Sequence, residues 1–306
     1  MSTKIDQVHE ENARRAKELY LVARNPEQGA VRWHEMLRSA RRLVAASLRA
    51  SNYLIDVQKA LEASGSHMRV FRQLIAPPMS QDQFKLLCDN WSKRSENIGS
   101  PLSPETAAIV ASTFSDWCDP AIGKWRAEER PPTRSEVRSA LLRTSILIAQ
   151  QDLATRSRNE VASVQEHEVT DLLENMGWKK LPSKLIDTRA SVPEKHYMHK
   201  TRFATKTASP QEVDIACGLA VSHVLAMECK VTNDETNSVK RVNDVIKKAN
   251  AWREHFGSFV ETAALLQGVI APRDVQRLSD NGIHVFWSHD LEAFRSWLLA
   301  HIGDES

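Results

Sequence analysis

The chain has 306 residues, with 41 Lys and Arg against 39 Asp and Glu, which gives a formal net charge of +2 at pH 7. This length can bury one large core or two smaller ones, whereas a net charge so close to zero does not by itself indicate a nucleic-acid partner. No apolar stretch approaches the length needed to span a membrane, and the four cysteines form no Cys-x-x-Cys pair, so we expect reduced thiols in a cytoplasmic protein.

The first half of the chain predicts helices only. Its long segments without glycine or proline carry apolar residues at helical spacing, and Ser103-Pro104 is a typical helix start. Helices are expected at residues 9–24, 32–63 and 81–95, from Ser103-Pro104 onward, and from Thr133 or Ser135 to Asp152. We therefore expect residues 1–155 to form a helical N-terminal domain. It carries a cluster of arginines and several large apolar residues of the kind enriched at interfaces, so we expect it to contact DNA, mediate dimerisation, or do both. The arginines are Arg38, Arg41, Arg42 and Arg49, and the apolar residues are Trp33, Leu37, Trp91, Phe114 and Trp117.

The second half begins with a predicted helix and a basic stretch. The helix covers residues 160–176, and Gly177 follows at a C-cap position. Residues 179–206 then predict a loop with eight Lys and Arg against only two acidic residues. Such an excess is typical of a surface that meets a polyanion, although charge runs are also often simply solvated. The candidate DNA-binding residues in this stretch are Lys200, Arg202 and Lys206.

Two short apolar runs over residues 213–230 carry charges where a buried strand should have none. They predict an antiparallel hairpin that turns near Gly218. Side chains alternate along a strand, so Glu228 and Lys230 share one face, and the hairpin brings Asp214 beside Glu228. Because buried charges are costly unless they are paired or hold a metal, the three predict a site for phosphodiester hydrolysis. Asp214 and Glu228 would hold Mg²⁺, and Lys230 would activate water or stabilise negative charge.

The remainder of the chain predicts an alternation of helices and strands. A helix capped by Asn237 or Ser238 ends near His255, and Lys240 and Arg241 on it are further candidate DNA-binding residues. The later elements are strands at 262–270 and 283–287, a helix at 272–280 and a helix from Asp290 to Ile302. Alternation after a hairpin predicts an α/β fold, with a mixed sheet flanked by helices. Residues 156–306 are therefore the expected catalytic domain.

This order of elements resembles the restriction-endonuclease-like core of the PD-(D/E)XK nuclease superfamily. Within it, three segments resemble the XamI-like type II restriction endonucleases: Gln211-Glu-Val-Asp-Ile-Ala, Met227-Glu-Cys-Lys-Val-Thr-Asn-Asp-Glu-Thr-Asn-Ser-Val-Lys-Arg-Val-Asn-Asp and Val285-Phe-Trp-Ser-His-Asp-Leu. The resemblance implies Mg²⁺-dependent, site-specific cleavage of double-stranded DNA by a homodimer, with a cognate DNA methyltransferase as genetic partner. Asp214 follows Val213 rather than the expected proline, which leaves Glu212 as an alternative ligand.

The same resemblance implies a further acid on the helix before the sheet. Glu166, Val169, Leu173 and Gly177 match the pattern Glu-x-x-Val-x-x-x-Leu-x-x-x-Gly. Glu166 is therefore the expected fourth catalytic residue, where it would position a water or a second ion. Glu168 and Glu160 on the same helix are alternatives.

Two other functions fit parts of the pattern. A repair or structure-specific nuclease of the same superfamily would use the same catalytic residues without sequence specificity. A non-catalytic DNA-binding protein would keep Glu228 and Lys230 only as a structural ion pair. The complete set of two acids and a lysine favours an enzyme.

Overall fold

The computed structural model describes residues 6–206 and 209–303. Contacts divide the chain into two units, Pro26–Arg156 on the one hand and Met1–Asn25 with Ser157–Ser306 on the other. Helix α1 (Gln7–Val22) belongs to the second unit, where Ala13 and Ala16 pack into a core with residues of the C-terminal half. The sequence did not indicate this grouping, because an amphipathic helix does not show which surface its apolar face will cover.

The unit Pro26–Arg156 is helical. Its helices are α2 (Pro26–Ala50), α3 (Val57–Ala63), α4 (Met68–Phe71), α5 (Gln81–Leu87), α6 (Lys93–Ile98), α7 (Pro104–Trp117), α8 (Lys124–Ala127) and the first part of α9 (Arg134–Asn175). The predicted helix at 32–63 is interrupted after Ala50, where Asn52, Tyr53 and Leu54 adopt positive φ angles. Ser103 caps α7 through the N–H of Thr106, as predicted.

Helix α9 is continuous over 42 residues, although the sequence predicts two helices in this range. No glycine or proline lies between Arg134 and Asn175, so the polar stretch near residues 155–159 lacks any residue that would break the helix. Thr133 and Glu136 form reciprocal side-chain bonds to each other's backbone N–H at its start.

The second unit contains a seven-stranded mixed sheet in the order β1-β3-β4-β5-β6-β7, with β2 also paired to β3. The strands are β1 (Lys179–Lys180), β2 (Leu185–Ile186), β3 (His196–Phe203), β4 (Gln211–Gly218), β5 (Val224–Thr232), β6 (Val260–Gly268) and β7 (His284–Trp287). The pairs β3–β4 and β4–β5 are antiparallel, and the other pairs are parallel. The predicted mixed sheet is therefore confirmed.

Helices cover both faces of this sheet. The remaining helices are α10 (Glu235–Phe256), α11 (Pro272–Asp280) and α12 (Leu291–Ala300). On one face, Val169 and Leu173 of α9 pack with α12 against strand residues such as Met227. On the other, Trp252 of α10 packs on Ala226 of β5, and α1 and α11 complete the layer. No helix in the described part of the chain is long and apolar enough to cross a membrane.

Two local predictions in this unit are wrong. Residues 179–206 are not one loop, because β1, β2 and β3 lie within them. The charged residues of β3 made this segment resemble a loop in the sequence, but Tyr197, Thr201 and Phe203 are buried. The N-cap of α10 is Asp234 rather than Asn237 or Ser238, and the Ser238 hydroxyl instead donates to the buried Asp274 carboxylate at 2.6 Å.

Candidate active site

The hairpin β4–β5 opens at the two predicted metal ligands. Antiparallel pairing runs from Gly218 and Val224 to Ile215 and Met227, and in the described structure it does not continue. The next pair would be Asp214 and Glu228. Instead, the Asp214 side chain accepts the backbone N–H of Cys229 at 2.8 Å. A side-chain carboxylate thus replaces the ladder bond at this position, and the strands separate where the two acids meet.

Glu228 is fully buried and carries two ammonium partners on one oxygen. Its Oε2 accepts from Lys230 Nζ at 2.5 Å and from Lys248 Nζ at 2.8 Å. Its Oε1 is buried and has no hydrogen-bond partner among the described residues. Burial raises the pKa of Glu228, and the nearby Asp214 charge adds to this rise, whereas the two lysines oppose it.

Lys230 lies among three carboxylates. In addition to Glu228, its Nζ is 3.8 Å from Asp214 Oδ2 and 3.9 Å from Asp244 Oδ2 of α10. Burial alone would lower the pKa of Lys230, but the surrounding acids outweigh this effect and the pKa is raised. The side chain, which is 12% exposed, is therefore a firmly charged ammonium beside both predicted ligands.

Glu166 is buried on α9 and is held by β3. Its Oε2 accepts from His199 Nε2 at 2.7 Å and lies 3.1 Å from Lys200 Nζ. No ion pair or hydrogen bond joins Glu166 to Asp214 or Glu228 in the described ranges. Its charge still reaches β5, since burial, then Asp214 and then Glu166 raise the pKa of the Cys229 thiol. The alternatives differ in burial: Glu168 is exposed and Glu160 is half-buried.

The donor set fits a hard divalent cation. Mg²⁺ commonly binds through one or two carboxylates and keeps several waters, and Asp214 and Glu228 supply two carboxylates. The unpartnered Oε1 of Glu228 is a buried acceptor that a cation would satisfy. Residues 6–206 and 209–303 contain no group of three or more His, Cys, Asp or Glu placed to hold a metal. Glu212 is exposed, and its backbone carbonyl accepts from Lys248 at 2.9 Å.

Comparison with known proteins gives the family of the chain. A family model described as XamI restriction endonuclease matches residues 52–287, a range that includes Glu166, Asp214, Glu228 and Lys230. The chain belongs to the XamI restriction endonuclease family. The resemblance noted in the sequence is therefore confirmed.

Two individual proteins illustrate how far the similarity extends. The type II restriction enzyme XamI of Xanthomonas campestris pv. amaranthicola is 31% identical over 192 residues, which are 61% of this chain and 66% of that enzyme. The match thus spans slightly less than two thirds of that relative. A solved structure, protein VC1899 from Vibrio cholerae, aligns with 92% of this chain and 59% of its own length, at 10% identity and a TM-score of 0.32. That score is too low to bear on the fold.

In this member of the XamI family, sequence reasoning missed three residues around the site: Asp244, Lys248 and His199. On α10, the buried residues Val245 and Ala249 mark the side that faces the sheet. Asp244 and Lys248 each precede one of them, so they border the buried stripe, and this spacing was a usable signal. His199 gave no comparable signal, because its contact with Glu166 depends on how α9 packs on β3.

The candidate DNA-binding residues are on the surface. Arg202, Lys206, Lys240 and Arg241 are exposed. Lys200 is 63% exposed although its ammonium contacts Glu166. Their exposure allows contact with DNA, and their role stays a prediction.

Proposed function

We propose that the chain is a type II restriction endonuclease that makes Mg²⁺-dependent, site-specific double-strand breaks in DNA. One observation carries this proposal: Asp214, Glu228 and Lys230 meet where the β4–β5 ladder opens, in a chain of the XamI family. The sheet and its flanking helices are then a PD-(D/E)XK core. The name of the relative, type II restriction enzyme XamI, supports the same activity.

The proposed roles follow from the contacts. Asp214 and Glu228 would hold Mg²⁺, which would supply a Lewis acid for the scissile phosphate. The Lys230 ammonium orients the attacking water or stabilises the charge that develops on the pentacovalent phosphate. Glu166, fixed by His199 at 2.7 Å, positions a water on the α9 side. Lys200, Arg202, Lys206, Lys240 and Arg241 contact the DNA backbone, where positive charge supplies most of the affinity.

The substrate also implies the biological setting. We propose double-stranded DNA as the partner, a homodimer as the active assembly, and a DNA methyltransferase as the genetic partner that protects the host. A cytoplasmic location follows from access to DNA and fits the four free cysteines.

The decisive experiment is cleavage of plasmid DNA by the purified chain with Mg²⁺, followed by sequencing of the ends. Discrete fragments that share one terminal sequence are expected, and a chelator should prevent their formation. Breaks at unrelated sequences would instead indicate a structure-specific or repair nuclease. Intact plasmid at every divalent cation tested would contradict the enzymatic proposal.

A further inference from the structure

Among the described residues of the site, Lys248 is the cation to which the proposed mechanism gives no role. It reaches from α10 to Glu228 Oε2 at 2.8 Å and to the Glu212 carbonyl at 2.9 Å. Its side chain is only 17% exposed. A lysine without a role in the site would remain exposed to water, because ordering and burying an ammonium costs both side-chain entropy and hydration.

The charges of the two predicted metal ligands are already matched by two lysines. Asp214 and Glu228 contribute two negative charges, and Lys230 and Lys248 contribute two positive ones, while Asp244 at the edge is about half exposed. Two ammonium groups lie within 3 Å of a single oxygen of Glu228. A divalent cation added to the same carboxylates would be strongly repelled by both lysines, because these charges are poorly screened away from solvent. One lysine must therefore move away from Glu228 when the metal binds.

The contacts indicate which lysine moves. Lys230 lies beside Glu228, Asp214 and Asp244, so its departure would disturb contacts with three carboxylates at once. In the described structure, Lys248 makes its ion pair with Glu228 and otherwise holds only the Glu212 carbonyl. A metal that binds Glu228 would therefore break fewer bonds by displacing Lys248 than by displacing Lys230.

We propose that Lys248 neutralises the Glu228 carboxylate in the metal-free protein, in place of the divalent cation, and moves away from that carboxylate when the cation binds. In this role Lys248 keeps the buried carboxylate neutralised before metal and DNA arrive, and it sets the affinity of the empty site. The inference rests on the metal site of the proposed function, and it adds a competition between a lysine and the cation that this function does not require.

The first test measures Mn²⁺ binding to the full chain without DNA, by calorimetry, because Mn²⁺ takes the same oxygen ligands. Lys248→Gln keeps a hydrogen-bond donor but removes the charge, so Mn²⁺ affinity should rise by about tenfold or more. Lys248→Arg keeps the charge and should bind Mn²⁺ no more tightly than the original protein. Lys247→Gln is the matched control: it removes the same charge from an exposed position on the same helix and should leave the affinity unchanged.

The second test needs no substitution and so does not depend on a variant folding. Acetylation of Lys248 by a mild acylating reagent, followed by mass spectrometry, should be faster with saturating Mn²⁺ than without it, relative to Lys247. The outcomes separate the two proposals. If the original protein binds no Mn²⁺, the metal site itself is wrong and this inference falls with it. If Mn²⁺ binds but Lys248→Gln gains no affinity, or the acetylation rate stays constant, only the role of Lys248 is overturned.

Discussion

At the scale of single residues, substitution of Lys230 tests whether the site is catalytic or only a buried ion pair. Lys230→Ala should lower the cleavage rate by about 10²-fold or more, the usual loss when one group that stabilises transition-state charge is removed. DNA binding should persist, because phosphate affinity is spread over many basic residues. The variant should still fold, since Lys248 stays 2.8 Å from Glu228. Cleavage assays and metal-free gel shifts measure the two effects, with Lys247→Ala as control, and undiminished cleavage would contradict the assignment.

The helical unit depends on a buried ion pair that has no part in the proposed chemistry. Arg72 and Glu96 are almost fully buried and bonded at 2.9 Å, and Arg72 also donates to the Met79 carbonyl at 2.7 Å. Glu96→Ala leaves the Arg72 guanidinium buried without a carboxylate partner, so the free energy of unfolding measured in urea should fall by about 3–5 kcal/mol. Glu292→Ala, which breaks an exposed pair with Arg295, should cost about 1 kcal/mol or less. Equal losses of unfolding free energy in the two variants would show that the buried ion pair stabilises the protein no more than the exposed one.

How far the site could be predicted also differs from residue to residue. Asp214, Glu228 and Lys230 were recognisable because charges in apolar strand runs are costly without a function. Lys248 gave only a weaker signal, its position beside the buried stripe of α10, and a lysine there resembles a solvated one until the helix packs on β5. The partners of Glu166 were hidden for the same reason. Sequence therefore revealed the residues whose own segment makes them unusual, and missed those that become unusual only through a neighbouring element.

The elements themselves show the same division between local and tertiary information. The start of α7 and both ends of α11, two helices with proline in their first turn, were predicted correctly. The strand β3 was missed, because polar and charged residues at 199, 200 and 202 break up its buried positions, and the partners that pair with it lie elsewhere in the chain. The continuity of α9 was missed because a polar stretch was interpreted as a boundary although no residue there ends a helix.

Gly218 supports the hairpin that carries Asp214 and Glu228. A Cβ at this position would lie 2.0 Å from the Pro193 carbonyl oxygen, so the backbone must shift to admit any side chain. Gly218→Ala should therefore destabilise the protein by about 1–3 kcal/mol. Gly29→Ala, within helix α2 where nothing lies within 4 Å, should instead stabilise it by roughly 0.5–1 kcal/mol. Thermal melts followed by circular dichroism measure both, and a stabilised Gly218→Ala would refute the close approach.

On the scale of the whole molecule, the basic stretch 179–206 is expected to follow the DNA backbone. Replacing Lys200, Arg202 and Lys206 with Ala should weaken metal-free DNA binding and reduce the slope of log affinity against log salt by about 0.9 for each phosphate that is no longer neutralised. The control removes three positive charges at exposed positions elsewhere, through alanine at Lys247, Arg273 and Arg295. If affinity and salt slope change equally in both variants, the stretch is only a solvated surface.

Side-chain burial in the helical unit shows which candidate residues could contact a second copy of the chain. The candidate interface residues that the sequence offers in this half are Trp33, Leu37, Trp91, Phe114 and Trp117. Trp91 and Phe114 are fully buried in the core of this unit, so they are not available to a second copy. Trp33 and Leu37 are partly buried against that core, and Trp117 is 41% exposed. Aromatic residues of this kind are enriched at interfaces, which leaves Trp117 as the best-placed member of the set.

A twofold dimer is the assembly that the proposed product requires. One site with a single set of Asp214, Glu228 and Lys230 cuts one strand, whereas a restriction enzyme cuts both, and a palindrome offers two equivalent half-sites. A C2 dimer places one site on each strand through a single self-complementary surface. Sedimentation of the full chain with and without DNA that carries the recognised sequence should show two copies of the chain on the DNA. Trp117→Lys should weaken this dimer. A particle that stays monomeric, while double-strand breaks form at first order in enzyme, would leave the dimer without a role.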